Sequence, residues 1–171
     1  MEQTAVSQIQ DIKPDDLMVL GDRMSEIREL AGKYPERGSL TLPLLWMVQR
    51  QEGYVTEDGK RDIALLTGKR LAEVQEVVTF YTQYFQQPVG KYCLGVCRTL
   101  PCALNGAGGM FDYLSEKLGV KNGETTEDGK FTLLAYECLG ACSEAPVLLV
   151  NEKTYTRMTK AKLDALLESM E

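Results

Sequence analysis

Two close cysteine pairs constrain this chain more than any other feature: Cys97-Arg-Thr-Leu-Pro-Cys102 and Cys138-Leu-Gly-Ala-Cys142. The spacings are C-x4-C and C-x3-C, and Cys93 is the fifth and last cysteine. Four thiols in two tight pairs can close a tetrahedral set of soft ligands, which selects zinc, Cu(I) or iron–sulfur clusters. The 171-residue sequence contains no histidine. Mixed Cys/His sites are therefore excluded, as is every histidine-based acid–base or nucleophilic mechanism.

The cysteines point to metal only if the compartment is reducing. The N-terminus, Met1-Glu-Gln-Thr-Ala-Val-Ser-Gln, has neither the basic start and apolar core of a secretory signal nor the Arg-rich character of a transit peptide. The longest apolar stretch, around Leu42 to Val48, is far short of a membrane span and carries Pro43. The reading is a soluble, cytoplasmic protein with no direct membrane insertion. In such a chain paired cysteines are metal-binding or catalytic rather than structural disulfides. The net charge of −6 argues against nucleic acid as partner, because phosphate binding needs a basic face.

Periodicity divides the chain in two. In the first part, apolar positions at helical spacing predict helices over Asp22 to Tyr34, Leu42 to Gln51, Ile63 to Leu66 and Leu71 to Tyr81. Leu71, Val74, Val77, Val78 and Tyr81 are expected to face inward. Thr56-Glu-Asp-Gly has the character of a helix cap, and Gly53 and Gly68 read as stops. Residues 1–20 are polar and aperiodic and are expected to be flexible. Nothing in this part has catalytic chemistry by residue type, so it reads as a packing or docking module, a helical bundle over 1–87.

After Pro88-Val-Gly90 the pattern becomes extended. Strands are predicted over Lys91 to Val96, Phe131 to Glu137 and Val147 to Asn151, with a fourth through Tyr155. Helices are predicted over Ala103 to Gly119 and Thr159 to Met170. The order β-α-β-β-α gives residues 88–171 a thioredoxin-like α/β arrangement, and the whole an α+β two-part chain. Both cysteine pairs then begin at the carboxyl ends of strands, where α/β sheets place ligands.

Three readings of the four thiols compete. Thiol–disulfide catalysis wants C-x-x-C, which is absent from the sequence. A zinc-stapled interaction module remains open on spacing. A [2Fe–2S] cluster needs two thiolates on each iron and suits the wider pairs better. Gly95, Gly106 and Gly140 would leave backbone N–H groups unshielded near the sulfurs, and Arg98 offers a nearby positive charge. Cys93 reads as a buried spectator. Neither Gly106-Ala-Gly108-Gly109 nor Gly123 to Lys130 matches a nucleotide-binding loop, so this chain presents no case for binding NADH, FMN or ATP itself.

The motifs together resemble a known family, the 24 kDa-type subunit of respiratory complex I, NADH:quinone oxidoreductase. The matching pieces are Leu42-Pro-Leu-Leu-Trp-Met-Val-Gln49, Gly53-Tyr-Val, Val78-Thr-Phe-Tyr-Thr-Gln-Tyr-Phe85, Cys97 to Cys102, Gly123-Glu-Thr-Thr-Glu-Asp-Gly129 and Glu137-Cys-Leu-Gly-Ala-Cys-Ser-Glu-Ala-Pro146. They run in order over roughly Leu40 to Thr159. The resemblance implies a helical N-terminal domain followed by a thioredoxin-like ferredoxin domain with one [2Fe–2S] cluster. Its ligands would be Cys97, Cys102, Cys138 and Cys142. It also implies a partner, the flavoprotein subunit that binds NADH and FMN, within the peripheral arm of the complex. Single electrons would pass between that flavin and the cluster, beside the main electron path. NAD-linked hydrogenases and formate dehydrogenases use the same module.

Overall fold

The computed structural model describes residues 4–170, and the chain divides after Pro88 into two compact units. The first is helical: α1 Ala5–Ile9, α2 Met24–Ala31, α3 Thr41–Glu52, α4 Glu57–Thr67 and α5 Leu71–Phe80. Its core is aliphatic, with Ile9, Leu20, Ile27, Leu44, Leu45, Ile63 and Leu66 fully buried. Helix α3 ends at Gly53, whose φ of 82° is a left-handed stop. Thr56 caps α4 by accepting the Gly59 N–H at 3.1 Å.

One expectation is corrected in this unit, and another is met by unexpected packing. Of the segment 1–20, residues 1–3 lie outside the described residues, and the remainder packs into the unit. Ala5 and Ile9 pack α1 into the core, Pro14–Asp16 forms a 3-10 turn, and Leu17 and Leu20 are buried. A distant side chain anchors this segment: Asp62 on α4 accepts the N–H groups of Met18, Val19 and Leu20. On α5, Val74 and Val78 face the core, but Leu71 and Tyr81 are over 40% exposed. Tyr81 leaves helical geometry at φ −92° and ψ 110°, so the helical period no longer sets where it points.

The second unit holds β1 Tyr92–Cys97, α6 Leu100–Leu104, α7 Ala107–Leu118, β2 Phe131–Tyr136, β3 Leu148–Val150, β4 Lys153–Tyr155 and α8 Lys160–Glu168. The sheet runs β2-β1-β3-β4, with β1 and β2 parallel and the other pairs antiparallel. The expected single helix over Ala103 to Gly119 is two, broken at Gly106, which stands at φ 88°. Strand β1 is central and buried on both faces, with Leu94 and Val96 in the core formed by Met110, Leu114, Leu148 and Leu163. Its register opposite β2 pairs Cys97 with Tyr136, so the two parallel strands end together. The cysteine-bearing segments leave the sheet from that shared edge.

Candidate metal centre

Each cysteine of interest sits where a regular element ends. Cys97 is the last residue of β1, held in place by its N–H to the Val147 carbonyl at 3.1 Å. The next residue, Arg98, donates its N–H to the Tyr136 carbonyl at 2.9 Å, which ties the exit of β1 to the exit of β2. Cys102 lies on α6, a five-residue helix with Pro101 in its first turn. Cys138 follows β2 in a loop, and Cys142 opens a 3-10 turn, Cys142–Glu144. Cys97 and Cys102 are buried, whereas Cys138 and Cys142 are exposed.

All five thiols are free. Among the described residues no three metal-ligating side chains converge on one centre; the four thiols meet as two pairs. The Sγ atoms of Cys138 and Cys142 stand 3.7 Å apart. Tetrahedral thiolate bonds of about 2.3 Å subtend an edge of about 3.8 Å, so this pair already spans one edge of a metal tetrahedron. The pairs also interact with each other. The Thr99 hydroxyl lies 3.3 Å from Cys97 Sγ; Thr99 also lowers the Cys138 thiol, and the Leu139 N–H lowers Cys97.

Hydrogen bonds to sulfur polarise each pair. Burial pushes the Cys97 thiol up, but the Thr99 hydroxyl, the Thr99 and Leu139 N–H groups and Cys102 outweigh it and leave Cys97 below the ordinary thiol range. Cys102 is raised, first by burial and then by its bond to Cys97, against a Val147 N–H that lowers it. In the exposed pair the Gly140 N–H, 3.4 Å from the sulfur, lowers Cys138 first, and Cys142 lowers it further. Cys142 is raised by Cys138. Gly140 adopts φ 80°, a left-handed turn that aims this N–H back at the sulfur. Each pair thus holds one thiol lowered and one raised from the ordinary cysteine range, with hydrogen-bond donors beside the sulfurs. This chemistry fits a polythiolate metal group, whose negative charge such donors stabilise.

Two expectations about the surroundings are corrected, and one holds. Gly95 does not open a donor to the sulfurs: a Cβ there would lie 2.2 Å from the Tyr136 ring, so its role is to seat that ring. Arg98 is not a free positive charge, because its guanidinium is ion-paired with Glu137. Cys93 is buried as expected, and burial pushes its thiol up to about 11. It lies four residues from Cys97 along an extended strand, about 13 Å at about 3.3 Å per residue, well beyond disulfide reach.

The family described as thioredoxin-like [2Fe–2S] ferredoxin matches residues 27–171. NADH-quinone oxidoreductase subunit 2 of Thermus thermophilus is 43% identical over 152 residues, covering 87% of this chain and 84% of its own. An NADH-quinone oxidoreductase subunit of Rhizobium meliloti is 39% identical over 144 residues, covering 84% and 86%. Among solved structures, an NAD+-reducing [NiFe]-hydrogenase in the air-oxidized state superposes with a TM-score of 0.64 at 20% identity. That likeness covers 74% of this chain and 22% of the hydrogenase chain, and it bears on the fold alone.

Proposed function

We propose, from the premise that this chain belongs to the thioredoxin-like [2Fe–2S] ferredoxin family, that it is the electron-transfer subunit of an NADH:quinone oxidoreductase. Cys97, Cys102, Cys138 and Cys142 would hold its one [2Fe–2S] cluster. The observation that carries this reading is that Cys97 ends β1, the Cys138 loop leaves the parallel end of β2, and the free Cys138 and Cys142 sulfurs stand 3.7 Å apart. When bound, such a cluster supplies one-electron redox chemistry, at a potential set by charge, hydrogen bonds to sulfur and solvent exposure.

The chain's own residues set those three conditions. Cys97 and Cys102 anchor the site on the buried side. Cys138 and Cys142 leave the other side open, where an electron can enter or leave without crossing the core. The Gly140 N–H and the Thr99 hydroxyl lie within hydrogen-bond reach of sulfur, which favours the more negative, reduced state. No residue at the site serves as an acid, base or nucleophile toward an organic substrate in this reading. The chain makes and breaks no substrate bond.

The partner in this reading is the flavoprotein subunit that binds NADH and FMN, with the rest of the peripheral arm. The exposed edge of the site supports a docked partner, since α6 presents Leu100 and Leu104 to solvent at 70% and 78% exposure beside Cys102. The helical unit would serve as a further docking module. No described helix is long and apolar enough to cross a membrane, and membrane association in this reading runs through the assembly.

A serine series tests the ligand set. In anaerobically purified chain, Cys97→Ser and Cys138→Ser should lose most of their iron and sulfide, while Cys93→Ser keeps both. Equal loss in all three would reject the assignment.

A further inference from the structure

We propose that Glu144, held by Thr156 and Arg157, positions the Cys142 ligand loop, and that the Glu144–Arg157 ion pair sets the electron affinity of the site. This rests on the ligand reading above. Cys142 opens a single 3-10 turn whose own backbone tie is the Glu144 N–H to the Ala141 carbonyl at 3.0 Å. One turn is too little regular structure to hold an exposed ligand in place.

The stretch between β4 and α8 supplies further ties. The Thr156 hydroxyl donates to Glu144 Oε2 at 2.7 Å. The Arg157 N–H donates to the Glu144 carbonyl at 2.8 Å, and its guanidinium lies 3.6 Å from Glu144 Oε1. One step further, the Met158 N–H donates to the Pro146 carbonyl at 3.1 Å. Both the carboxylate and the carbonyl of Glu144 are thus gripped by two consecutive residues. Arg157 adopts φ 49° to do so, a left-handed conformation that a side-chain-bearing residue takes up only when its neighbours hold it there.

The charges have a consequence beyond anchoring. Each electron accepted at the site adds one negative charge. The Glu144 carboxylate, two residues along the chain from Cys142, opposes that addition, and the Arg157 guanidinium favours it. Paired, the two cancel. Uncovering either one shifts the equilibrium, and the two single variants shift it in opposite directions. A role confined to holding the fold would move both variants the same way.

The test is a potentiometric EPR titration of the full-length chain carrying its cluster, with iron and sulfide counted on the same samples. Glu144→Gln keeps an acceptor for Thr156 and should keep its iron. It should raise the reduced-to-oxidised ratio at a fixed potential by about threefold, about 28 mV at about 59 mV per tenfold for one electron. Arg157→Gln should lower that ratio by a similar factor. Shifts of the same sign, or no shift in either variant, would overturn the proposal. If a single variant loses its iron, the charge-swapped double variant Glu144→Arg with Arg157→Glu decides. Recovery of iron supports the clamp, and no recovery overturns it. A wild-type chain without iron or sulfide would reject the cluster reading itself, an outcome distinct from all of these.

Discussion

Replacing Asp62 by alanine should unfold the helical unit early while leaving the iron in place. Asp62 is only 2% exposed, and its carboxylate accepts three backbone N–H groups at 2.7–2.9 Å, those of Met18, Val19 and Leu20. In Asp62→Ala, the N–H groups of Met18 and Val19 can turn to water, at a net loss of about 1 kcal/mol each. Leu20 is fully buried, and its stranded N–H costs about 1–3 kcal/mol more. The loss comes to about 3–5 kcal/mol, and at about 4 °C or more per kcal/mol for a unit of this size the melting temperature should fall by at least about 12 °C. Asp62→Asn keeps one acceptor oxygen and should lose roughly half as much. The assay is a circular-dichroism melt of the cluster-loaded chain, with iron counted in parallel at room temperature. A fall below about 3 °C for the alanine variant, or identical falls for alanine and asparagine, would refute the claim that three N–H bonds to Asp62 fix the N-terminal segment.

Three further outcomes follow from the geometry. Gly95→Ala forces the Tyr136 ring out of its seat and should cost about 1–3 kcal/mol; an unchanged denaturation midpoint would contradict the close contact. Thr56→Ala removes the cap that accepts the Gly59 N–H and should cost about 1 kcal/mol of helical-unit stability by the same measurement. In the metal-free chain, alkylation followed by mass spectrometry should label Cys138 at a lower pH than Cys142, because a lowered thiol becomes thiolate earlier as pH rises. Cys93, buried and raised to about 11, should react last, and uniform labelling of all five thiols would contradict this ordering.

What was legible in the sequence was local. The C-x4-C and C-x3-C spacings singled out four thiols because each pair is close in sequence, and the sheet then joins the pairs. Thr56 as a cap and Gly53 as a stop were visible because a cap is made within one turn. What escaped depended on distant partners. The N-terminal segment looked loose because its anchor, Asp62, lies 42 to 44 residues away. Arg98 looked like an available charge because Glu137, which pairs with it, lies 39 residues on. Gly95 looked like a donor window because nothing in the sequence places the Tyr136 ring over it. The grip of Thr156 and Arg157 on Glu144 carries no motif at all. It shows only once β3 and β4 bring the end of the sheet back beside the cysteine loop.

The most direct test of the central claim is iron, zinc and acid-labile sulfide content of the anaerobically purified chain, with EPR after dithionite reduction. Two irons and two sulfides per chain and an S = 1/2 signal from the reduced sample are expected. Stoichiometric zinc, no sulfide and an EPR-silent reduced sample would contradict that claim, leaving the four thiols as a structural staple.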